Sequence, residues 1–360
     1  MKKVLSILGI LLLVGVLCLS GGYFYYAGEV DGAGAVGPAR PFTVAQGSSP
    51  KAITAKLKEE GFINSTLCFK LYLKKTSAGP RLQYGDFELR EGMGYDEIVT
   101  ELETVNTDVA TVKVTFPEGS TVLQFAKLME EAGLCSKEEF LDVANNGDFS
   151  DLAFWSQIEP NAHCFMKAEG YLFPDTYEFF AEDSVYNMVH KLYAEFDSKW
   201  TGERAEKMKA LGMNIKDVVT LASFIQEEAG DPENMPGVSG VFHNRLRADS
   251  PYPKLESDVS WYYIEDFIRP YYGGEAAVPT GMEEAYYTYD CVGLPAGPLS
   301  CPGDAAIDAA LSPQASDYFF FLTDFNGKYY YAKTYDEHLN NVATMKSING
   351  EVKASIGGAA

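Results

Sequence analysis

The chain opens on an uninterrupted apolar run. From Val4 to about Tyr26 only Ser6, Ser20 and glycines break it, which is long enough to cross a bilayer. It closes on Tyr23, Phe24, Tyr25 and Tyr26, an aromatic belt, with Lys2 and Lys3 before it and Glu29 and Asp31 after it. This pattern predicts a cytoplasmic N-terminus over 1–3, a single transmembrane helix over 4–26, and a remainder outside the plasma membrane. A cleaved or lipidated leader is the rival reading, prompted by Cys18 in VGVLC, but Leu17 is not the small residue such processing prefers. Residues 27–41, rich in Gly, Ala and Pro without a hydrophobic period, read as a flexible linker.

From Phe42 the apolar positions acquire periods. A short strand, a Gly-Ser turn and a helix bearing Ile53 and Leu57 come first. A second strand follows around Leu71 to Leu89, and GYDEIVTELE predicts a helix. These make a small α+β module over 42–108, a spacer or a glycan-contacting unit. A larger mixed α+β domain spans 109–346. It begins with the alternating strand Val112–Phe116 and a helix from about Thr121 to Ala132. Another helix, from Ser184 to Trp200, carries Val185, Met188, Leu192, Tyr193 and Phe196 on one stripe. Asp317–Phe321 and Lys328–Ala332 flank Asn326-Gly327 as a hairpin, and the tail over 347–360 reads as disordered.

One predicted helix, Ile215 to Ala229, carries a carboxylate in its apolar stripe. Glu228 shares a face with Leu221, Phe224 and Ile225, while Thr220, Ser223 and Glu227 share another. A carboxyl in such a place has its pKa raised, as a general acid at neutral pH requires; a solvated charge at a helix end is the alternative. The next helix, Asn234 to Arg247, holds Asn244 and Arg245 near it, for capping and ion pairing or to orient Glu228 and hold a substrate acyl group. Between Glu169 and Tyr177 the run EGYLFPDTY reads either as a folded corner of the core or as aromatic faces that stack on sugar rings.

Composition narrows the chemistry. With 29 basic against 51 acidic residues the net charge is −22, and no basic patch interrupts it, so nucleic acid is a poor partner. The four histidines lack metal-ligand spacing, and neither a phosphate-binding GxxxxGK[ST] loop nor a GxSxG elbow occurs; no cofactor or metal is expected. Cys68, Cys135, Cys164, Cys291 and Cys301 lie in the region predicted to be exported. Cys291 and Cys301 are nearest, and the sequence does not settle their bonding.

Several motifs together resemble the MltG or YceG-like family of endolytic murein transglycosylases, over nearly the whole chain. EGYLFPDTY, LASFIQEEAG, VFHNRL, LESDVS and YYTYDCVGLPAGPLSCPG are each similar to a stretch of that family, in its order. The resemblance implies a LysM-like small module and a catalytic domain whose acid falls on Glu228, with Glu169, Asp175, Asn244, Arg245, Asp258 and Tyr289 as substrate-binding positions. It also implies cleavage of the MurNAc-β-1,4-GlcNAc bond of peptidoglycan glycan strands without water, with peptidoglycan synthases and the elongation machinery as partners. Gln226 and Glu227 depart from the usual Glu and Lys, Tyr287 from Asn, and Val259-Ser260 from Pro-Thr or Ala-Thr. A noncatalytic, membrane-tethered wall-binding protein is the competing expectation. If a two-carboxylate hydrolytic mechanism operated instead, Asp258 and Glu227 would be the partners of Glu228.

Overall fold

The computed structural model describes residues 20–32, 36–44, 48–104, 111–158, 162–181 and 183–357. Most of the apolar N-terminal run therefore lies outside the described residues. Residues 20–31 are helical, and no helix among the described residues is long and apolar enough to cross a membrane. The described residues fall into two compact units, one running to Val112 and including Phe179–Lys191, the other comprising Lys113–Glu178 and Leu192 onward.

In the first unit, strand β1 (Val36–Val44) pairs antiparallel with β2 (Gly85–Glu91), Phe42 opposite Phe87. Three helices pack with this ribbon: α1 (Pro50–Glu59), α2 (Thr66–Thr76) and α3 (Tyr95–Glu103). Ser49 and Ser65 cap α1 and α2 with their hydroxyls. Phe42, Leu57, Phe69, Leu89, Ile98 and Leu102 form the centre of the core. Two expectations change here. Leu71 and Leu73 belong to a helix, not a strand, because Ser65 starts one and Cys68, Phe69, Tyr72 and Leu73 recur at its period. The linker expected over 27–41 is helical to residue 31 and a strand from Val36. Pro38 and Pro41 are tolerated because β1 belongs to a two-stranded ribbon whose register slips between Val36 and Arg40.

The second unit is mostly helical. Its helices are α4 (Val122–Glu131), α5 (Lys137–Asn146), α6 (Val185–Ser198, which begins in the first unit), α7 (Gly202–Ala210), α8 (Ile215–Glu228), α9 (Met235–Leu246), α10 (Val259–Tyr263), α11 (Met282–Tyr286), α12 (Asp304–Leu311) and α13 (Tyr335–Gly357). Strand β3 (Thr111–Thr115) lies beside β4 (Thr176–Phe180), and β5 (Phe320–Thr323) pairs antiparallel with β6 (Tyr329–Ala332). The predicted hairpin is present with shorter strands, because Asp324 gathers the backbone amides of Asn326 and Lys328 and ends both. The tail expected to be disordered from Ser347 is helical to Gly357. Asn349 accepts the Phe325 amide at 2.7 Å, which ties that last stretch to the hairpin turn.

Candidate active site

Helix α8 starts in a capping box, in which Asn214 accepts the Asp217 amide at 2.9 Å and Asp217 accepts the Asn214 amide at 3.1 Å. Val218 through Ile225 are buried without exception, Thr220 and Ser223 included. The helix is thus surrounded, not amphipathic, and the two-face reading of its sequence is too simple. Ser223 donates to the Thr220 carbonyl and accepts the Leu299 amide, so its buried hydroxyl is satisfied while it anchors the segment before Ser300. Gln226, a departure from the family pattern, accepts the Gly303 amide at 3.0 Å, at the start of α12.

Glu228 is the last helical residue and half-buried. Burial raises its pKa above the ordinary carboxylate value, and the charges of Asp258 and Glu227 add to the rise. The Ser257 hydroxyl, donating to Oε1 at 2.5 Å, works against it by favouring the carboxylate. No hydrogen bond holds Oε2 among the described residues. The backbone beside the acid is pinned by Tyr329, whose hydroxyl donates to the Glu228 carbonyl and accepts the Gly230 amide.

The Ser257 seat is built from distant segments. Thr288 Oγ1 accepts the Ser257 amide and donates to the Ser257 carbonyl, both at 3.0 Å, and Ser260 Oγ donates to that carbonyl at 2.8 Å. All three side chains are buried. Glu256, just before, has φ +49, a conformation that costs a residue with a side chain about 1–2 kcal/mol. Its amide donates to the Thr288 carbonyl, and its carboxylate accepts Arg245 Nη1 at 2.7 Å. The same guanidinium donates to the carbonyls of Phe319, Lys254 and Leu255, and it stacks over Phe320. Ser257 and Thr288 were not singled out from the sequence, although both lie inside motifs that carry the family resemblance.

The expected site residues do not all converge on one surface. Asp258 stands at the N-cap position of α10, beside Ser257, but its carboxylate makes no capping bond and instead accepts the Tyr289 hydroxyl at 2.8 Å. Burial and that bond to the carboxylate push the Tyr289 phenol up. Trp261, Tyr287 and Tyr289 form a row of rings, the outer two exposed and Tyr287 half-buried, with centroids 5.8 and 5.4 Å apart. Asn244 Nδ2 donates to the Ser316 and Tyr318 carbonyls, so this amide, like Arg245, is engaged with the fold. Glu169 is fully buried, accepting the Val122 amide at the start of α4 and the Tyr263 hydroxyl. Burial pushes its carboxyl to about 8 despite those bonds, and Glu227 adds to the rise. Asp175 is exposed and accepts the Thr176 amide.

Glu227 does not simply point away. Though exposed overall, its carboxyl reaches Gly119, where an added Cβ would lie 2.8 Å from Oε1, and burial raises its pKa while Ser300 lowers it. The EGYLFPDTY run is a core corner: Tyr171, Leu172, Phe173 and Tyr177 are buried, so their faces are not available for stacking. Gly170 has φ +85, and a Cβ there would fall 2.6 Å from Pro298 and 2.7 Å from Val219. Cys68, Cys135, Cys164, Cys291 and Cys301 are all free thiols. A separate concavity of about 620 Å³, lined by Lys199, Arg204, Asp304 and Asp308, has its cations paired to its own acids.

Comparison with known proteins gives a consistent set of relatives. The endolytic murein transglycosylase of Streptococcus pneumoniae serotype 2 is 27% identical over 319 residues, which is 83% of this chain and 57% of the relative. This chain thus spans little more than half the length of that protein. The endolytic murein transglycosylase of Bacillus subtilis is 28% identical, over 86% of this chain and 84% of its own. A crystal structure of a yceG-like protein from Listeria monocytogenes superposes with a TM-score of 0.53 at 27% identity, covering 84% of this chain and 98% of that one. Residues 42–344 match the model of the YceG-like family, and the chain belongs to that family.

Proposed function

We propose that this chain is an endolytic lytic transglycosylase that cleaves the MurNAc-β-1,4-GlcNAc bond of peptidoglycan strands and leaves 1,6-anhydroMurNAc ends. The observation that carries this reading is the state of Glu228: a half-buried carboxyl with a raised pKa, one oxygen seated on Ser257 and the other without a hydrogen bond among the described residues. The names of the pneumococcal and Bacillus relatives supply the substrate class. Protonated Glu228 gives its proton to the leaving glycosidic oxygen. As carboxylate it then takes the proton of the muramyl C6 hydroxyl, whose oxygen bonds to C1, so the acid is regenerated and no water is consumed. One carboxyl suffices because the nucleophile is part of the substrate.

Asp258 lies near the acid and, with Tyr289 bonded to it and the rings of Trp261 and Tyr287, forms the surface on which a strand would rest. Asp175, exposed, would meet the strand farther along. Glu169, Asn244 and Arg245 act as positioning residues: the first holds α4, and the other two hold the segments on which Ser257 and β5 stand. The apolar run Val4–Tyr26 anchors the chain in the plasma membrane with its N-terminus inside, and that placement suits a partnership with peptidoglycan synthases and the elongation machinery.

The test is product mass spectrometry on isolated glycan strands. The wild-type chain should yield anhydromuramyl ends and Glu228→Gln none. Reducing ends in their place would point to water as nucleophile with Asp258 or Glu227 as second carboxylate. Intact strands with the wild type would favour a noncatalytic wall-binding protein.

A further inference from the structure

Helix α2 has two faces, and only one is used. Cys68, Phe69, Tyr72 and Leu73 are buried in the first unit. Leu67, Lys70, Leu71, Lys74 and Lys75 are exposed and recur at i, i+3, i+4, i+7 and i+8, one continuous stripe. Leu67 is 67% and Leu71 50% exposed, which is a large apolar commitment on a small module. The three lysines make no ion pair among the described residues and α2 contains no acid, so the helix assembles a local cationic stripe where the sequence read as having no basic patch, in a protein of net charge −22. Two leucines framed by three unpaired cations suit a surface that is apolar beneath and anionic at its edge.

The helical residues 20–31 fix where that stripe stands. Tyr26 and Val30 pack against the core of the module. Glu29 accepts the Tyr95 hydroxyl at 2.8 Å and the Asn64 amide at 3.3 Å. Gly94 admits the Val30 carbonyl, which a Cβ would meet at 2.5 Å. Nearer its N-terminal end the same helix brings the Tyr25 hydroxyl to Ser65, the cap of α2. The end of the apolar run is therefore locked onto the module, and α2 starts beside it. Tyr23 and Phe24, 68% and 73% exposed, belong to that end of the run.

We propose that the outer face of α2 is a phospholipid-binding surface, with Leu67 and Leu71 set among the headgroups and Lys70, Lys74 and Lys75 paired with anionic phosphates. The module then rests on the bilayer instead of hanging from it. This inference goes beyond the glycan chemistry of the second unit and stands or falls without it.

The test uses the full chain with Leu71→Trp in vesicles of phosphatidylglycerol and phosphatidylcholine carrying brominated acyl chains. The three native tryptophans are subtracted with the unsubstituted chain as reference. Seated roughly 5–10 Å into the headgroup boundary, the new indole should be blue-shifted and quenched more by bromines near the glycerol than by bromines near the chain ends. Lys70→Glu, Lys74→Glu and Lys75→Glu together should abolish that quenching while the chain still sediments with the vesicles through its apolar run. Sedimentation reports the anchor and quenching reports the stripe, so the two readings fail separately. An unquenched, water-exposed indole overturns the proposal, as does quenching that survives the triple substitution. Quenching that is absent from pure lipid but an indole shift that appears with a membrane-protein extract would assign the face to a protein partner instead.

Discussion

Ser257→Ala isolates the hydroxyl that offsets the burial-driven rise in the proton affinity of Glu228. The substitution removes a hydroxyl 2.5 Å from Oε1 and little else, because the Ser257 backbone stays held by Thr288 and Ser260. A hydrogen bond to a charged group is worth about 1.5–3 kcal/mol, and Glu228 is only half-buried, so the lower end applies. Without that bond the proton of the carboxyl is held more firmly still. On the proposed mechanism Glu228 begins the reaction protonated, so the descending alkaline limb of the pH–rate profile should move to higher pH. Below that limb, where Glu228 is protonated with or without the hydroxyl, turnover should fall by less than the roughly tenfold equivalent of that bond, since a partial proton transfer feels only part of it. The assay is the rate of anhydromuramyl-end formation across pH, by chromatography with mass detection. An alkaline limb that stays in place while turnover falls would refute the reasoning, for it would make Ser257 a steric support and no more.

Other predictions follow from the same geometry. Glu169, raised to about 8, binds its proton more tightly folded than unfolded, so the stability it contributes is present below its unfolded value near 4.5 and is lost as pH rises through about 8. Melting temperature should decline over that window, and Glu169→Gln should flatten the decline. Arg245→Lys cannot reproduce four carbonyl and carboxylate contacts from one ammonium and should cost about 2–5 kcal/mol in urea unfolding, with activity falling in parallel. Gly170→Ala drives a Cβ into Pro298 and Val219 at positive φ and should cost about 1–3 kcal/mol from overpacking alone, read by the same unfolding curves. Tyr329→Phe removes the hydroxyl shared by Glu228 and Gly230 and should cost about 1 kcal/mol, with a smaller loss of turnover than Ser257→Ala.

Long periodic elements were legible because period and caps agree. Helix α8 was expected over Ile215 to Ala229 and spans Ile215–Glu228, since Asn214 begins it and Gly230 and Pro232 follow its end. The stripe of α6 was equally plain, with Met188, Leu192, Tyr193 and Phe196 all buried. What stayed hidden depends on contacts between distant segments. Residues 36–41 look like a tether until β2 supplies a partner, and the last helix looks like a frayed tail until Asn349 meets the Phe325 amide. Glu228 could be picked out as an acid among apolar residues, but the hydroxyl that tunes it comes 29 positions later and is itself placed by Thr288. A helical wheel carries no information about Gly119, the residue that the Glu227 carboxyl reaches.

The joint between Ser257 and Thr288 opens a route to inhibition that never enters the cleft. Thr288 holds both the amide and the carbonyl of Ser257, so a compound that displaces the 285–303 segment carries the serine away from Glu228. The acid would lose the partner that eases its ionisation, and the rings of Tyr287 and Tyr289, carried on the same segment, would shift with it. Such a compound would depress turnover and loosen strand binding together without touching Glu228 itself.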